Sequence, residues 1–352
     1  MLFDLPSDEA LYGAMQTNDP SFEGRAFVGV TSTGIFCRLV CPARTPKQEN
    51  CRFFASPTDC VEAGFRPCKR CNPIGKIPDD MRDLLDALKA NPEYPWAESD
   101  IIDRGYDPSH IRRLFKKQFG QTFLALARQR RLQLGFSTLT AGAKVIEAQL
   151  DAGFSSASAF RAAFQRLTGL APGQLQTRAR LNADWIDTPL GPMICVADTR
   201  NLYLLEFLER KALPREMQRL HKAAKGDLGL GRTAITDQTK AALTAYFDGS
   251  DPRLDLPLAP AGTDFERHVW HRLRQIPAGQ TRSYSQLAQD MSKPNATRAV
   301  ARANGANPIA IVIPCHRVIG ADGALTGYGG GLWRKERLLK IEEHYATKRI
   351  TP

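Results

Sequence analysis

Apolar positions along the chain change their period twice. From Met81 to about Arg178 they recur at helical spacing in a basic context, and two stretches echo each other: "RGYDPSHIRRLFKKQFGQT" (104–122) and "AGFSSASAFRAAFQRLTGLAP" (152–172). Each passes from a glycine and an aromatic residue through a capping residue into a helix with Phe or Leu-Phe turned inward, then closes on glycine. A shorter apolar helix precedes each, "SDIIDRG" and "AKVIEAQLDAG", so the pattern predicts two helix-turn-helix units in tandem. Asp107 and Ser155 can take the free N–H groups of the helix starts, Pro108 suits a first helical position, and Gly105 and Gly153 fit the turns. Ile102 and Asp103 stand where small or apolar residues usually pack against the second helix, which predicts a weaker first unit.

From Trp185 the pattern shortens to alternation. "WIDTPLGPMICVAD" and "LYLLEFL" read as strands and "DQTKAALTAYFDG" as a helix. A helical, basic region begins at Phe265 and carries "ARANGANP". The aliphatic run "IAIVI" then reads as a buried strand, and the amphipathic "WRKERLLKIEEHY" closes the pattern.

Cysteine marks a further module ahead of these. Six of the eight cysteines fall between residues 37 and 71, and "RPCKRCNPIGKIP" reads as an exit into a linker. Cys37-x3-Cys41 and Cys68-x2-Cys71 place two ligand pairs at the ends of the 42–67 loop, the arrangement of a tetrahedral zinc site with four cysteine ligands. Alone, Cys68-x2-Cys71 could be a redox pair, but no βαβ pattern surrounds it. Cys51, Cys60 and Cys195 are expected to be packing residues. His268 and His271, with no third ligand nearby, are expected in solvent.

Net charge is +11, which favours an anionic partner, nucleic acid above all. Arg112, Arg113, Lys116 and Lys117 follow a turn-helix cap and are expected to meet phosphates rather than form an ordinary solvated face. The N-terminus is acidic, without a basic or apolar leader pattern, and no stretch approaches about 18 uninterrupted apolar residues, so a cytoplasmic protein is expected. One feature remains, "IPCHRV": neither disulfide chemistry nor core packing calls for Cys315 and His316 side by side, and a buried cysteine beside a surface histidine is the bland alternative.

"TSTGIFCRLVCPAR" with "AGFRPCKRCNP", two helix-turn-helix units and then "IPCHRV" together resemble the Ada family of bacterial methylated-DNA repair proteins and activators of the adaptive response to alkylation. The resemblance covers nearly the whole chain. It implies a multidomain α+β protein: a zinc-binding methylphosphotriester acceptor domain (1–77), an all-α AraC-like tandem helix-turn-helix domain (80–178), a small β-sheet subdomain (184–260) and a winged-helix-like catalytic O6-alkylguanine-DNA alkyltransferase domain (261–346). Cys37 would be the zinc-bound methyl acceptor, with Cys41, Cys68 and Cys71 as structural ligands. Cys315 would take the methyl group from the base, served by His316 through a bridging water and by a glutamate at Glu342, with Glu343 as the alternative. Arg298 would fill the stack vacated by a flipped base, Tyr284 would help rotate the phosphate, Asn307 would be the hinge between helix and active strand, and "GYGGGL" would line the base pocket. Arg317, Arg112, Arg113 and Arg161 complete the expected DNA contacts.

The implied activity is a single-turnover methylated-DNA-[protein]-cysteine S-methyltransferase acting on O6-methylguanine, O4-methylthymine and backbone methylphosphotriesters. Methylated at Cys37, the protein would activate alkylation-response genes. Its implied partners are one Zn²⁺, double-stranded DNA and RNA polymerase; a monomer associated with the nucleoid is expected, with no membrane partner. The competing reading is a zinc and helix-turn-helix regulator whose acceptor domains serve as sensors without efficient repair.

Overall fold

The computed structural model describes residues 5–348 apart from 56, 69, 72, 74–77, 177 and 178. The expected domain ends at 77 and 178 lie outside the described residues. The chain forms two compact units, residues 1–90 with 244–251, and residues 91–243 with 252–352.

The first unit opens with α1 (Asp8–Gln16), capped by the Ser7 hydroxyl accepting from the Ala10 amide. β1 (Phe27–Val30), β2 (Ile35–Arg38), β3 (Cys51–Phe54) and, after α2 (Pro57–Glu62), β4 (Arg66–Pro67) make a sheet ordered β3-β1-β2-β4. Strand alternation gathers Phe27 and Phe36 with Cys60 and Phe65 in one buried cluster. Val28 and Cys37, partners across the ladder, belong to another with Leu11, Leu39 and Cys71. Gly29 lies under aromatic rings, where a Cβ would stand 2.9 Å from Phe54 and Phe65. α3 (Asp79–Ala90) buries Met81, Leu84 and Leu88 along one stripe.

In the second unit, α4 (Glu98–Asp103) and α5 (Pro108–Phe119) form one helix-turn-helix. α6 (Phe123–Thr140) leads to the other, α7 (Val145–Asp151) and α8 (Ala157–Thr168). Gly105 and Gly153 take φ of 82° and 65° in the turns, a left-handed conformation that glycine adopts without steric cost. Asp107 caps α5, accepting from the Ser109 and His110 amides. The second cap is Ser156 rather than the expected Ser155, with its hydroxyl accepting from the Ala159 amide. One more residue separates Gly153 from its helix than separates Gly105 from α5, which shifts the capping position by one. Ile102 does not pack inward: it is 58% exposed, and Ile101 fills the buried place at 3%.

β5 (Leu181–Ile186), β6 (Met193–Ala197) and β7 (Leu202–Phe207), followed by α9 (Leu213–Ala223) and β8 (Leu228–Leu230), build a sheet ordered β7-β6-β5-β8, with α10 (Ala234–Phe247) next in the chain. Cys195 is fully buried in the middle of β6. The core is continuous with the second helix-turn-helix: Leu132, Phe136, Phe160 and Phe164 share one cluster with Ile194, Val196 and Leu204. Phe136 stacks on Phe164 at 6.3 Å and meets Trp185 at 5.7 Å.

The remaining elements are α11 (Asp264–Arg274), β9 (Arg282–Ser283), α12 (Tyr284–Asp290), α13 (Thr297–Gly305), β10 (Val318–Ile319) and α14 (Leu332–Lys348). His268 and His271 are exposed on α11. The "IAIVI" run is buried but is not the expected strand. Only Ile309 makes a bridge, to Leu205, and the rest folds into a turn with Ile311 at φ 70°. Its polar groups pair locally: Ile313 N donates to Ile309 O, Ile309 N to Asn307 Oδ1, and Asn307 Nδ2 to Ile313 O. A left-handed β-branched residue costs roughly 1–2 kcal/mol, which the surrounding turn must offset.

Candidate functional sites

The four-thiol cluster is assembled at the C-terminal ends of two neighbouring parallel strands, β2 and β4. β2 carries Cys37, a tight turn in which Cys41 N donates to Arg38 O brings in Cys41, and Cys68 N donates to Phe36 O beyond β4. The sulfurs of Cys37, Cys41, Cys68 and Cys71 all lie within 4.8 Å of one another. Four soft donors around a zinc ion at about 2.3 Å each would be roughly 3.8 Å apart, so the set fits a tetrahedral site. The thiols also compete for charge. The Cys71 thiol is pulled down to about 5 by the hydrogen bond from Cys37, and Cys37 is pushed up by the same bond and by burial. Arg38 N adds a donor to Cys71 Sγ at 3.5 Å. Outside the cluster, Cys60 is fully buried, and Cys51 donates to Lys47 O at 3.3 Å.

Cys315 opens a short 3₁₀ turn, Cys315–Arg317, after Pro314. His316 is fully buried, and its Nε2 lies 2.8 Å from Glu342 Oε1. A carboxylate only accepts, so Nε2 carries the proton and Nδ1 is left with a lone pair and no partner among the described residues. Glu342 also accepts from Arg317 Nε and Nη2, at 2.8 and 2.7 Å, and from Gly279 N at 3.2 Å. Burial pushes the Glu342 carboxyl up, but His316 and Arg317 outweigh it and hold it well below the usual range. Burial lowers the His316 imidazole despite Glu342, because Arg317 already balances that carboxylate. Glu343, the neighbouring candidate, is exposed. Adjacent helical positions point about 100° apart, so one faces the histidine and the other the solvent.

Burial raises the Cys315 thiol, and the hydrogen bond from Asn307 opposes it. Asn307 Nδ2 lies 3.1 Å from Cys315 Sγ. Asn307 is therefore a buried partner of the thiol, at 2% exposure. The Arg317 guanidinium is likewise buried, at 7% exposure, and donates to Glu342 and the Ile276 carbonyl. Beside Cys315 opens a cavity of about 470 Å³, lined by Tyr284, Asn304, Gly305, Thr326, Gly327, Tyr328 and Gly329. Tyr284 thus sits on the pocket wall, and Arg298 is exposed in the first turn of α13.

Three buried groups escaped the sequence reading. Lys335 is fully buried and donates to Val318 O and Thr326 O at 2.5 and 2.6 Å, pinning both sides of the pocket loop. Burial draws its ammonium down to about 8. It lies two turns before Glu342 on α14, a spacing that could have revealed it. Asn304 donates to Cys315 O at 3.4 Å, and Arg210 reaches in from the end of β7; nothing in the local sequence marks either. On the helix-turn-helix units Arg113 and Arg161 are exposed, while Arg112 pairs with Glu98 at 2.5 Å. Among the described residues no helix is long and apolar enough to cross a membrane.

Fold and sites together define a DNA alkyltransferase module joined to a tandem helix-turn-helix and a metal-thiolate module. Residues 10–73 match the metal binding domain of Ada, 104–178 a helix-turn-helix domain, and 264–344 the 6-O-methylguanine DNA methyltransferase DNA-binding domain. The chain is 34% identical over 350 residues to the bifunctional transcriptional activator/DNA repair enzyme Ada of Escherichia coli, covering 96% of each chain. It is 45% identical over 161 residues to a methylated-DNA–protein-cysteine methyltransferase of Methanosarcina barkeri, covering 46% of this chain and 96% of that one. A Mycobacterium tuberculosis OGT solved in complex with DNA is similar at 41% identity and a TM-score of 0.40, over 46% of this chain and 92% of that one. The chain belongs to the Ada family, and Cys37, Cys41, Cys68 and Cys71 hold its zinc ion.

Proposed function

We propose that the chain repairs alkylated DNA by irreversible methyl transfer to two of its own cysteines and, once methylated at Cys37, activates transcription of alkylation-response genes. The observation that carries this reading is the placement of Cys315 Sγ beside a base-sized cavity, next to a buried His316–Glu342 pair whose free Nδ1 can accept a proton. A base flipped out of the stack enters the cavity at a cost of a few kcal/mol. Sγ bonds to the methyl carbon as the bond from carbon to O6 breaks, and the thiol's proton, relayed through His316 by a bridging water, ends on the restored guanine. Asn307 and the nearby Lys335 ammonium favour the thiolate at that moment. No group in the pocket can remove the methyl from the resulting thioether, so each cysteine acts once.

Cys37 takes a methyl group from a backbone methylphosphotriester: Sγ bonds to the methyl carbon as the carbon–oxygen bond breaks, and the ordinary phosphodiester anion is left. Held by Cys37, Cys41, Cys68 and Cys71, a zinc ion would keep these thiols deprotonated and so make Cys37 a nucleophile at neutral pH. Methylation of Cys37 removes one negative charge close to the phosphate, worth roughly 1–3 kcal/mol of DNA affinity at an effective dielectric near 20. Exposed Arg113 and Arg161 on α5 and α8, with Arg112 beside Glu98, contact the operator, while Arg298 fills the gap left by the flipped base. The domains divide at 1–77, 80–178, 184–260 and 261–346. The protein acts in the cytoplasm, on the nucleoid, as a monomer that engages RNA polymerase; the reduced, metal-type use of its cysteines supports that compartment.

Intact-protein and peptide mass spectrometry after incubation with DNA methylated at guanine O6 and at the backbone tests this. One methyl on each of the peptides containing Cys37 and Cys315 is expected. A single adduct would reduce the other module to a sensor, and no adduct would favour a regulator without repair.

A further inference from the structure

A buried arginine outside the catalytic module reaches the acceptor thiol through one intermediary. Arg210 follows β7, is 8% exposed and makes ion pairs with Glu206 and, at 3.4 Å, with Glu216. The guanidinium also donates to the end of α13. Nη1 donates to Asn307 O at 2.6 Å and Nη2 to Gly305 O at 2.9 Å. These are carbonyls at the negative end of a helix dipole, where a cation is favoured. Asn307 is also the residue whose amide reaches Cys315 Sγ at 3.1 Å. The same guanidinium lies behind the pocket wall, since a Cβ at Gly329 would stand 2.9 Å from Arg210 Nε.

A buried pair of this kind costs desolvation, and apolar packing often serves stability as well or better. Its geometry here has another use. We propose that Arg210 is a positioning residue for methyl transfer to Cys315: by gripping the carbonyls of Gly305 and Asn307 it holds the Asn307 amide on the sulfur as the thiolate forms. Glu206 and Glu216, from β7 and α9, fix the guanidinium in turn. Gly329 is small because any side chain there would displace it. The proposal rests on Cys315 being the acceptor of the base methyl group.

The test uses the full chain and single-turnover transfer from a duplex carrying one O6-methylguanine. Arg210→Met should slow transfer by about tenfold or more while lesion-duplex affinity stays within about twofold. It should also move the pH profile for alkylation of Cys315 by iodoacetamide toward higher pH. Arg210→Lys should recover part of the rate. Arg210→Met leaves Glu206 buried without its partner, so the double variant Glu206→Gln/Arg210→Met separates folding from positioning: its melting temperature should return and its rate should not. An unchanged rate in Arg210→Met, or full recovery of rate in the double variant, would overturn the positioning role while leaving Cys315 as acceptor. Absence of a methyl group on Cys315 in the unsubstituted protein would overturn the acceptor reading and this proposal with it.

Discussion

The two cysteines proposed as methyl acceptors lie in different chemical settings. Cys37 lies among three other sulfurs, with the Arg38 and Ala43 backbone amides donating to the cluster. Cys315 lies among nitrogen and oxygen groups: an amide on its sulfur, an adjacent imidazole, and behind that a carboxylate held by an arginine. In the first site the activating agent is a metal ion, and the protein supplies only ligands. In the second the protein supplies every part, which is why so many buried polar residues surround Cys315 and so few surround Cys37. A site of the first kind is compact enough for a short sheet, whereas the second draws on α12, α13, α14 and the segment after β7.

The sharpest way to break this contrast is Cys315→Ala. It should abolish methyl acceptance from O6-methylguanine and leave acceptance from the phosphotriester within about twofold, read by adduct mass spectrometry; equal loss of both would end the division of labour. Metal removal should do the converse. A chelator that strips the four-thiol site should unfold the first unit, since structural zinc contributes on the order of 10–16 kcal/mol, and Cys315 acceptance should survive. Loss of the Cys315 activity on chelation would show that the sites are not separable.

Glu342→Gln tests the relay. It should slow Cys315 transfer by about 100-fold, within the range for general base catalysis, and cost roughly 3–5 kcal/mol of stability by leaving Arg317 buried without its carboxylate. Denaturant melts and single-turnover rates read the two effects separately. The smallest effect is that of mild acid. Burial lowers His316, so the imidazole stays neutral at its ordinary 6.5, and the Cys315 rate should fall only below that pH. Glu342 titrates lower than in the unfolded chain, so its contribution to stability is present above the ordinary carboxyl value of 4.5 and is lost as pH falls toward its folded value. The rate should therefore decline before the fold does. A decline beginning above pH 6.5 would mean a different base.

Cysteine spacing alone exposed the metal site, because Cys-x3-Cys and Cys-x2-Cys have few other uses in this setting. The helix-turn-helix repeat was legible for a similar reason: Asp107, Gly105 and Gly153 each have a local job that their chemistry announces. Tertiary contacts were harder. "IAIVI" has the composition of a strand, and only the Asn307 side chain, pairing with both Ile309 and Ile313, turns it into a closed loop. The carboxylate that Arg317 holds lies 25 residues away, beyond the reach of any local pattern. Arg210 is 97 residues from Asn307, a separation that no local pattern can bridge. Ser156 displaced Ser155 because either serine could cap, and one residue of loop length decided between them.

The shared core of the second helix-turn-helix and the β5–β8 sheet bears on how such a protein can be recombined. Phe136, Phe160 and Phe164 are fitted to Ile194, Val196 and Leu204, although the chain passes from helices to strands between the two groups. A chimera that exchanges residues 91–176 for those of a relative inherits one half of a matched pair. Interiors are packed closely enough that even one mismatched methylene is felt. The shuffling unit of this chain is therefore larger than its motifs: α6–α8 and β5–β8 are free to change only together.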